Sequence, residues 1–518
     1  MAKQLSYLSL DDIGLNGLNV QSNPASLDPS WLTSAENIVL RESGRISFRK
    51  GLKQNVLSTT AKIGVIGETQ GGTILAAVGT NMYTVDFTAP DAPWTAVHAV
   101  VGGSDSDWQM IPFKGEMYCT QVGHELLEYD SGTWLPISST TGYVAPSATT
   151  FDPNCGSAYY GRLWVGGVTE AKGTVYYSDT LNAHKWASGA AGEIDLTTVW
   201  GNDEIVAIAP FYGKMVFFGK HNIAIYNNPT TPTSMTLDEV IRDVGCVSRD
   251  SVQAVGDDLL FLSDTGLRSL HRTSELDKVP LTDYSVAIKD TLVRNIGQST
   301  NVKAVYVRSE GVYLLSFVDL NITYVFDMKH FAPTKSPRLT VWKFDGDREP
   351  SCLAYTDTKG FLAGQKSGSI ATYEGYFDKV YISGGTYTSH SYTGVFSTTW
   401  LDLGQSVTAA LLKKLKAVIS GGQGTVVSVK WFKDFSNEPS TTQNFLLNPT
   451  ISSAPSLWGG TGVLYGQAKY APSYGLKEYN VPLGGSAKFL KLEMTAETKG
   501  YVASLQDMSL LFKQGKIR

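Results

Sequence analysis

Residues 204–226 read EIVAIAPFYGKMVFFGKHNIAIY, and residues 251–270 read SVQAVGDDLLFLSDTGLRSL. In the first passage apolar runs over 204–209, 215–218 and 223–226 are separated by Phe211-Tyr212-Gly213-Lys214 and Gly219-Lys220-His221-Asn222. In the second, runs over 251–255, 259–262 and 267–270 flank Gly256-Asp257-Asp258 and Ser263-Asp264-Thr265-Gly266. Short runs between Gly, Asp and Asn turns predict antiparallel meanders. One meander cannot bury both of its faces, so it requires neighbours of the same kind.

The rest of the chain supplies them. Comparable triplets of runs begin near residues 63, 108, 156, 302 and 351. The starts recur at intervals of roughly forty to fifty residues, the period of a four-stranded propeller blade. The expectation is an all-β chain with a β-propeller of six or seven blades over 61–375. A stack of β-sandwiches shares the short strands and glycine turns and is the alternative. No WD or kelch signature recurs. A helical insertion is expected over about 283–295, in a stretch with apolar residues at Val286, Ile288, Leu292 and Ile296 and no proline or glycine until Gly297.

On either side of this region the pattern changes. Residues 1–60 are rich in turns, with Pro24 and Pro29, and read as an extended N-terminal arm that is loose or packed against another subunit. Residues 376–518 carry longer strands and read as a β-sandwich-like C-terminal domain with a long loop over 436–473.

The composition excludes several classes. Hydrophobic residues make up 42% of the 518, charged residues only 18%, and the formal charge is -5. That balance argues against non-specific coating of nucleic acid or of an anionic membrane. No signal peptide is visible after Met1, and no run of apolar residues is long enough to span a bilayer as a helix. The widely spaced Cys119, Cys155, Cys246 and Cys352 lie in or beside apolar runs and read as buried thiols.

Neither a catalytic nor a metal site is expected. The seven histidines lack zinc-motif spacing, and no Gly-x-Ser-x-Gly or phosphate-binding glycine loop occurs. Asp130 and Asp264 stand in turns that faintly resemble those of sialidase-like propellers, but they read as turn caps. The acidic turns Asp203-Glu204 and Asp257-Asp258, and the basic run containing Lys413, Lys414 and Lys416, are candidates for facing DNA or contacting a partner. The run 513–518 is also basic.

Four further passages carry a resemblance. They are Gly17-Leu18-Asn19 with Pro24-Ala25-Ser26-Leu27, then Ala35-Glu36-Asn37-Ile38, then Gly44-Arg45-Ile46-Ser47-Phe48-Arg49-Lys50-Gly51, then Asp243-Val244-Gly245-Cys246-Val247-Ser248-Arg249-Asp250. With the two meanders quoted above, their content and order resemble the tail hub or nozzle proteins of short-tailed bacteriophages over residues 17–373. The resemblance implies a virion structural protein, assembled in the host cytoplasm as a homo-hexameric ring. It implies a lumen through which viral double-stranded DNA passes without sequence recognition. Its implied partners are the head-to-tail adaptor, tail fibres or spikes, and a needle or plug. It implies no enzymatic activity and no cofactor. Asn37, Gly44, Arg49 and Gly51 become candidates for arm or subunit contacts. The competing reading is a propeller enzyme or lectin acting on host-surface glycans, which would need paired carboxylates in an open groove.

Overall fold

The computed structural model describes residues 5–41, 45–57, 61–87, 94–99, 107–270, 281–332, 336–403, 408–448 and 476–515. The chain is largely all-β, built of sheets of the β-propeller type. Five four-stranded antiparallel sheets follow one another over 63–99, 108–136, 155–195, 205–242 and 253–283. A sixth four-stranded unit, 302–342, is one end of an eleven-stranded sheet, and a seventh lies within a six-stranded sheet.

The first strand of each unit is innermost. Strands Ile63–Glu68 and Pro350–Thr356 lie side by side, so the first unit meets the seventh, and the hydroxyl of Ser351 donates to the Ile63 carbonyl at 2.7 Å. The fourth strand of the seventh unit comes from the other end of the chain. Leu52–Leu57 pairs antiparallel with Ser369–Tyr373, immediately before the first unit begins.

The packing explains why the sequence runs are continuously apolar and not alternating. Every residue of Met215–Phe218 is buried, because each sheet has a neighbour on both faces. Phe217 points toward the third unit, 6.3 Å from the ring of Trp164, while Phe218 points toward the fifth, 5.1 Å from Phe261.

The N-terminal segment is not an arm that hangs free or awaits another subunit. Its strands enter three sheets of its own chain. Leu5–Ser9 and Ile46–Phe48 pair with Ala503–Gln514, Trp31–Glu36 pairs with Thr393–Thr398, and Leu52–Leu57 completes the seventh unit. The apolar residues that make this possible are Leu10, Ile13, Leu18, Trp31, Leu32, Ile38, Leu40, Ile46 and Phe48, all buried. Most of them sit on strands of only two to six residues separated by turns, too short to show a sustained period.

The C-terminal region forms two packed sheets. One is ordered Ile38–Leu40, Ile46–Phe48, Ala503–Gln514, Ala410–Gly421, Leu476–Pro482. The other continues outward from Pro337–Trp342 of the sixth unit through Trp31–Glu36, Thr393–Thr398, Phe489–Glu497, Val426–Lys433 and Thr441–Leu446. Leu412, Leu415 and Leu510 of the first sheet share one core with Val429, Trp431 and Leu492 of the second, and that core runs on into the fifth and sixth units.

Three boundaries shift against expectation. Thr441–Leu446, inside the expected loop 436–473, is a strand paired with Val426–Lys433, and residues 449–475 lie outside the described residues. Strands Asp378–Ser383 and Thr386–His390 join the sheet of the seventh unit, not the C-terminal pair. The helix expected over 283–295 occupies Lys289–Gln298, preceded by a 3-10 turn at Val286–Ile288, with Leu292 buried against the core.

Candidate functional site

Two buried charge clusters stand out. The first lies where the N-terminal segment, the sixth and seventh units and the C-terminal sheets meet. Arg49, fully buried, forks onto Asp378: Nη1 and Nη2 each donate to one carboxylate oxygen at 3.0 Å. Its Nε donates to Asn37 Oδ1 at 3.1 Å, and its guanidinium lies 3.9 Å from the ring centre of Tyr392 and 4.5 Å from that of Phe344. Asp378 also accepts the backbone N–H of Leu52 at 2.9 Å. Burial alone pulls the Arg49 pKa down, but the Asp378 carboxylate outweighs it and the net shift is upward.

Asn37 completes this junction. Its backbone adopts φ +53, which asparagine tolerates better than most residues. Its side chain donates to the Thr393 carbonyl at 2.9 Å, and its Oδ1 also accepts the Lys343 N–H at 3.0 Å. Gly51 passes so close to the following segment that a Cβ placed there would lie 1.8 Å from the Phe377 carbonyl oxygen. Asn37, Arg49 and Gly51, expected at arm or subunit contacts, are therefore internal joints of one chain. Gly44 lies outside the described residues.

The second cluster stands at the centre of the ring of sheets. Arg249 Nη2 donates to Asp107 at 2.8 Å and to the Trp108 carbonyl at 3.1 Å, Nη1 donates to the Asn154 carbonyl, and Nε reaches Asp250 at 3.2 Å. Lys303 pairs with Asp250 from the sixth unit. One guanidinium thus ties the inner ends of the second, third and fifth units, and Lys303 adds the sixth. Beside it opens a central cavity of 530 Å³, lined from all seven units by residues such as Gly67, Gln109, Ser157, Ala209, Gln253, Tyr306 and Leu353.

Burial by itself raises the Asp250 pKa, but Lys303 and then Arg249 hold it down at about 2. A carboxylate depressed below its unfolded value of about 3.9 stabilises the fold above that value. The contribution is lost as pH falls from about 4 toward 2. Urea unfolding followed across this window should show an acid-side loss of stability that is smaller in Asp250→Asn. Equal acid limbs for both proteins would show that the cluster does not supply it.

The remaining expected site residues divide by environment. Asp203 is buried, and its carboxylate accepts the N–H groups of Lys220 at 3.1 Å and His221 at 3.0 Å and the Asn222 amide at 2.9 Å. It caps a turn, and its carboxylate is already engaged by these donors. Glu204 pairs with Lys220 and Lys172. Asp258 accepts hydrogen bonds from Ser269 and from Tyr284 at 3.0 Å, whereas Asp257 beside it is exposed.

Lys413, Lys414 and Lys416 lie within the strand Ala410–Gly421. A bulge between Leu412 and Lys414 keeps Leu412 and Leu415 both inward and leaves all three lysines on the outer side. Lys416 pairs with Glu478 at 2.8 Å. The structure does not gather the acidic turns and these lysines into one site.

All four cysteines are buried and unpaired, and burial pushes the Cys246 thiol up to about 11 and the Cys155 and Cys352 thiols to about 12. Such thiols are poor nucleophiles at neutral pH. Asp130 and Asp264 accept hydrogen bonds from the adjacent Ser131 and Ser263, each at 2.8 Å. Among the described residues no group of three or more His, Cys, Asp and Glu side chains could hold a metal ion. No described helix is long and apolar enough to cross a membrane.

Sequence reading missed Asp378 and Lys303, whose partners lie far away in the chain. Arg249 and Asp250 were visible only as part of a motif, with no sign that they meet Asp107 and Lys303.

No protein-family model matches the chain, and no curated protein matches it. Solved structures do. The WD40 domain of Neurospora crassa Pan2 is 8% identical with a TM-score of 0.38, over 63% of this chain and 98% of that one. YCF48 bound to D1 peptide is 10% identical with a TM-score of 0.38, over 62% and 95%. PorZ of Porphyromonas gingivalis, a component of the type-IX secretion system, is 13% identical with a TM-score of 0.36, over 70% and 44%. At these identities and TM-scores the likeness carries nothing about what this chain does.

Proposed function

We propose that this chain is a structural subunit of a short-tailed bacteriophage tail, the nozzle or hub ring, and not an enzyme. In this reading the seven sheets are the blades of a propeller, and the two C-terminal sheets form a sandwich fused to its sixth blade. The observation that supports the reading most is where the resemblance residues lie. Asn37, Arg49 and Gly51, all within the passages that resemble tail proteins, meet at the buried joint between propeller and sandwich. A wall subunit of a pressurised channel has to resist bending between its parts, and a buried, bidentate, multiply hydrogen-bonded joint gives that stiffness.

The ring is homo-hexameric, made in the host cytoplasm and carried in the virion tail, with the adaptor above it, fibres or spikes at its side, and a needle or plug at its tip. Double-stranded DNA passes through the lumen between copies. It does not thread the propeller itself, whose central cavity of 530 Å³ is of small-ligand size and has Arg249 in its wall. A lumen of acidic and small polar residues lets the duplex slide, because each lysine contact would add a counterion-release term to its binding. Of the acidic residues expected to face DNA, Asp257 is exposed and available for that surface.

Electron cryomicroscopy of tailed particles encoded by the same genome, with mass measurement of the isolated tail, tests the proposal. Six copies around a lumen that is not strongly positive are expected. A protein absent from the particle, or present as a monomer, overturns it.

The second reading, a propeller that binds or cleaves host-surface glycans, is favoured by the same central cavity. A glycan array probed with the intact protein separates the two. Saturable binding to one glycan class, lost on substituting cavity residues, would support the second reading.

A further inference from the structure

A second cavity, of 320 Å³, opens between the strand Ile38–Leu40 and the sixth unit. Its floor is apolar: Val39, Val312 and Val325 lie with Trp342, which is stacked on Tyr373 at 5.2 Å and 25°. Its rim is cationic. Among the described residues that line it, Arg41, Arg45, Lys50, Lys329 and Arg338 stand with two carboxylates, Glu310 and Asp327.

Both carboxylates are already engaged. Glu310 pairs with Lys50 at 2.6 Å. Asp327 is shared between His330 at 3.1 Å and the Nε of Arg338 at 3.9 Å. Arg338 is only 3% exposed, and it is held in place by donating Nη1 to the Arg41 carbonyl at 3.1 Å. The cavity is therefore built around a buried, oriented guanidinium. Arg41, Arg45 and Lys329 are exposed and make no ion pair with a carboxylate among the described residues.

Three cations that have no carboxylate partner among the described residues, held over a low-dielectric floor, repel one another and focus a positive potential into the cavity. That excess stands out on a chain whose formal charge is -5. Guanidinium groups match the paired oxygens of carboxylates and phosphates. The volume falls within the range of about 300–1,000 Å³ found for small-ligand sites.

We propose that this cavity binds a multiply charged oxyanion, the charged group of a phosphorylated or carboxylated small ligand. The proposal does not depend on the tail reading. Titration calorimetry of the full-length protein against inorganic pyrophosphate and against citrate tests it, at low salt and at about 150 mM salt.

One equivalent of at least one anion is expected to bind, more weakly at the higher salt. Tighter pyrophosphate binding identifies a phosphate-type ligand, and tighter citrate binding a carboxylate-type one. The variant Arg41→Ala/Arg45→Ala/Lys329→Ala should bind at least about tenfold more weakly, a loss of about 1.4 kcal/mol, with an unchanged melting temperature. Should that variant fold poorly, Lys329→Glu alone should show the same direction of effect. No binding of either anion, or equal binding by wild type and a folded variant, overturns the proposal.

Discussion

Deleting residues 1–57 leaves no soluble, folded monomer. The deletion strips the fourth strand from the seventh unit and opens the edges of Thr393–Thr398 and Ala503–Gln514, which it had covered. It also uncovers the surfaces against which Leu10, Ile13, Leu32, Ile38, Leu40 and Phe48 are buried. Each large apolar side chain withdrawn from such a core forfeits about 1.5–3 kcal/mol. A few of them match the whole net stability of about 5–15 kcal/mol that is usual for folded proteins. Unpaired strand edges then favour association over refolding. Expression followed by size-exclusion chromatography and circular dichroism checks this. A truncated protein that is monomeric and melts at the wild-type temperature would show that the segment is an accessory arm after all.

Asp378→Ala lowers the unfolding free energy by about 3–5 kcal/mol, the usual cost of leaving one partner of a buried ion pair behind. Arg49 then sits fully buried with its strongest acceptor gone, and the Leu52 N–H also loses its partner. The shortfall cannot be recovered from water, because neither side chain reaches the surface. Arg49→Met removes the charge that demands the acceptor, so Arg49→Met/Asp378→Asn should lose much less than the sum of the two single changes. Denaturant unfolding of the four proteins in the cycle gives the coupling directly. A cost below about 1 kcal/mol for Asp378→Ala would mean that the joint relaxes to admit solvent.

The same joint shows how far the chain could be read without its structure. Asn37, Arg49 and Gly51 were recognisable as special because they belong to ordered passages with a family resemblance. Their purpose was not, since Asp378 is separated from Arg49 by 329 positions. A buried ion pair leaves no local periodicity. Asp203 went astray for a related reason. An aspartate beside a glutamate in a turn reads as solvated, yet three donors from 220–222 close around its carboxylate.

The lysines of Ala410–Gly421 show the converse. Their clustering was plain, but strict alternation could not have put Leu412 and Leu415 on one face and three lysines on the other. The one-residue bulge that does so is a property of the pairing with Ala503–Gln514.

What the sequence by itself determined is local: short apolar runs, turns rich in glycine and aspartate, and their spacing. The turns follow from backbone sterics that act within a few residues, and the continuous apolar runs from burial of both strand faces against the units next in sequence. Meanders in series, and with them a propeller-type fold, were therefore legible in residues 204–270. Only the tertiary structure decided where the two ends of the chain go. Leu52–Leu57 completes the seventh unit and the segment before it is shared with the C-terminal sheets. That choice is made by edges and faces left open after the local units form, hundreds of residues away in the chain. Long-range closure of this kind is stabilised by surfaces that exist only once the other sheets have folded.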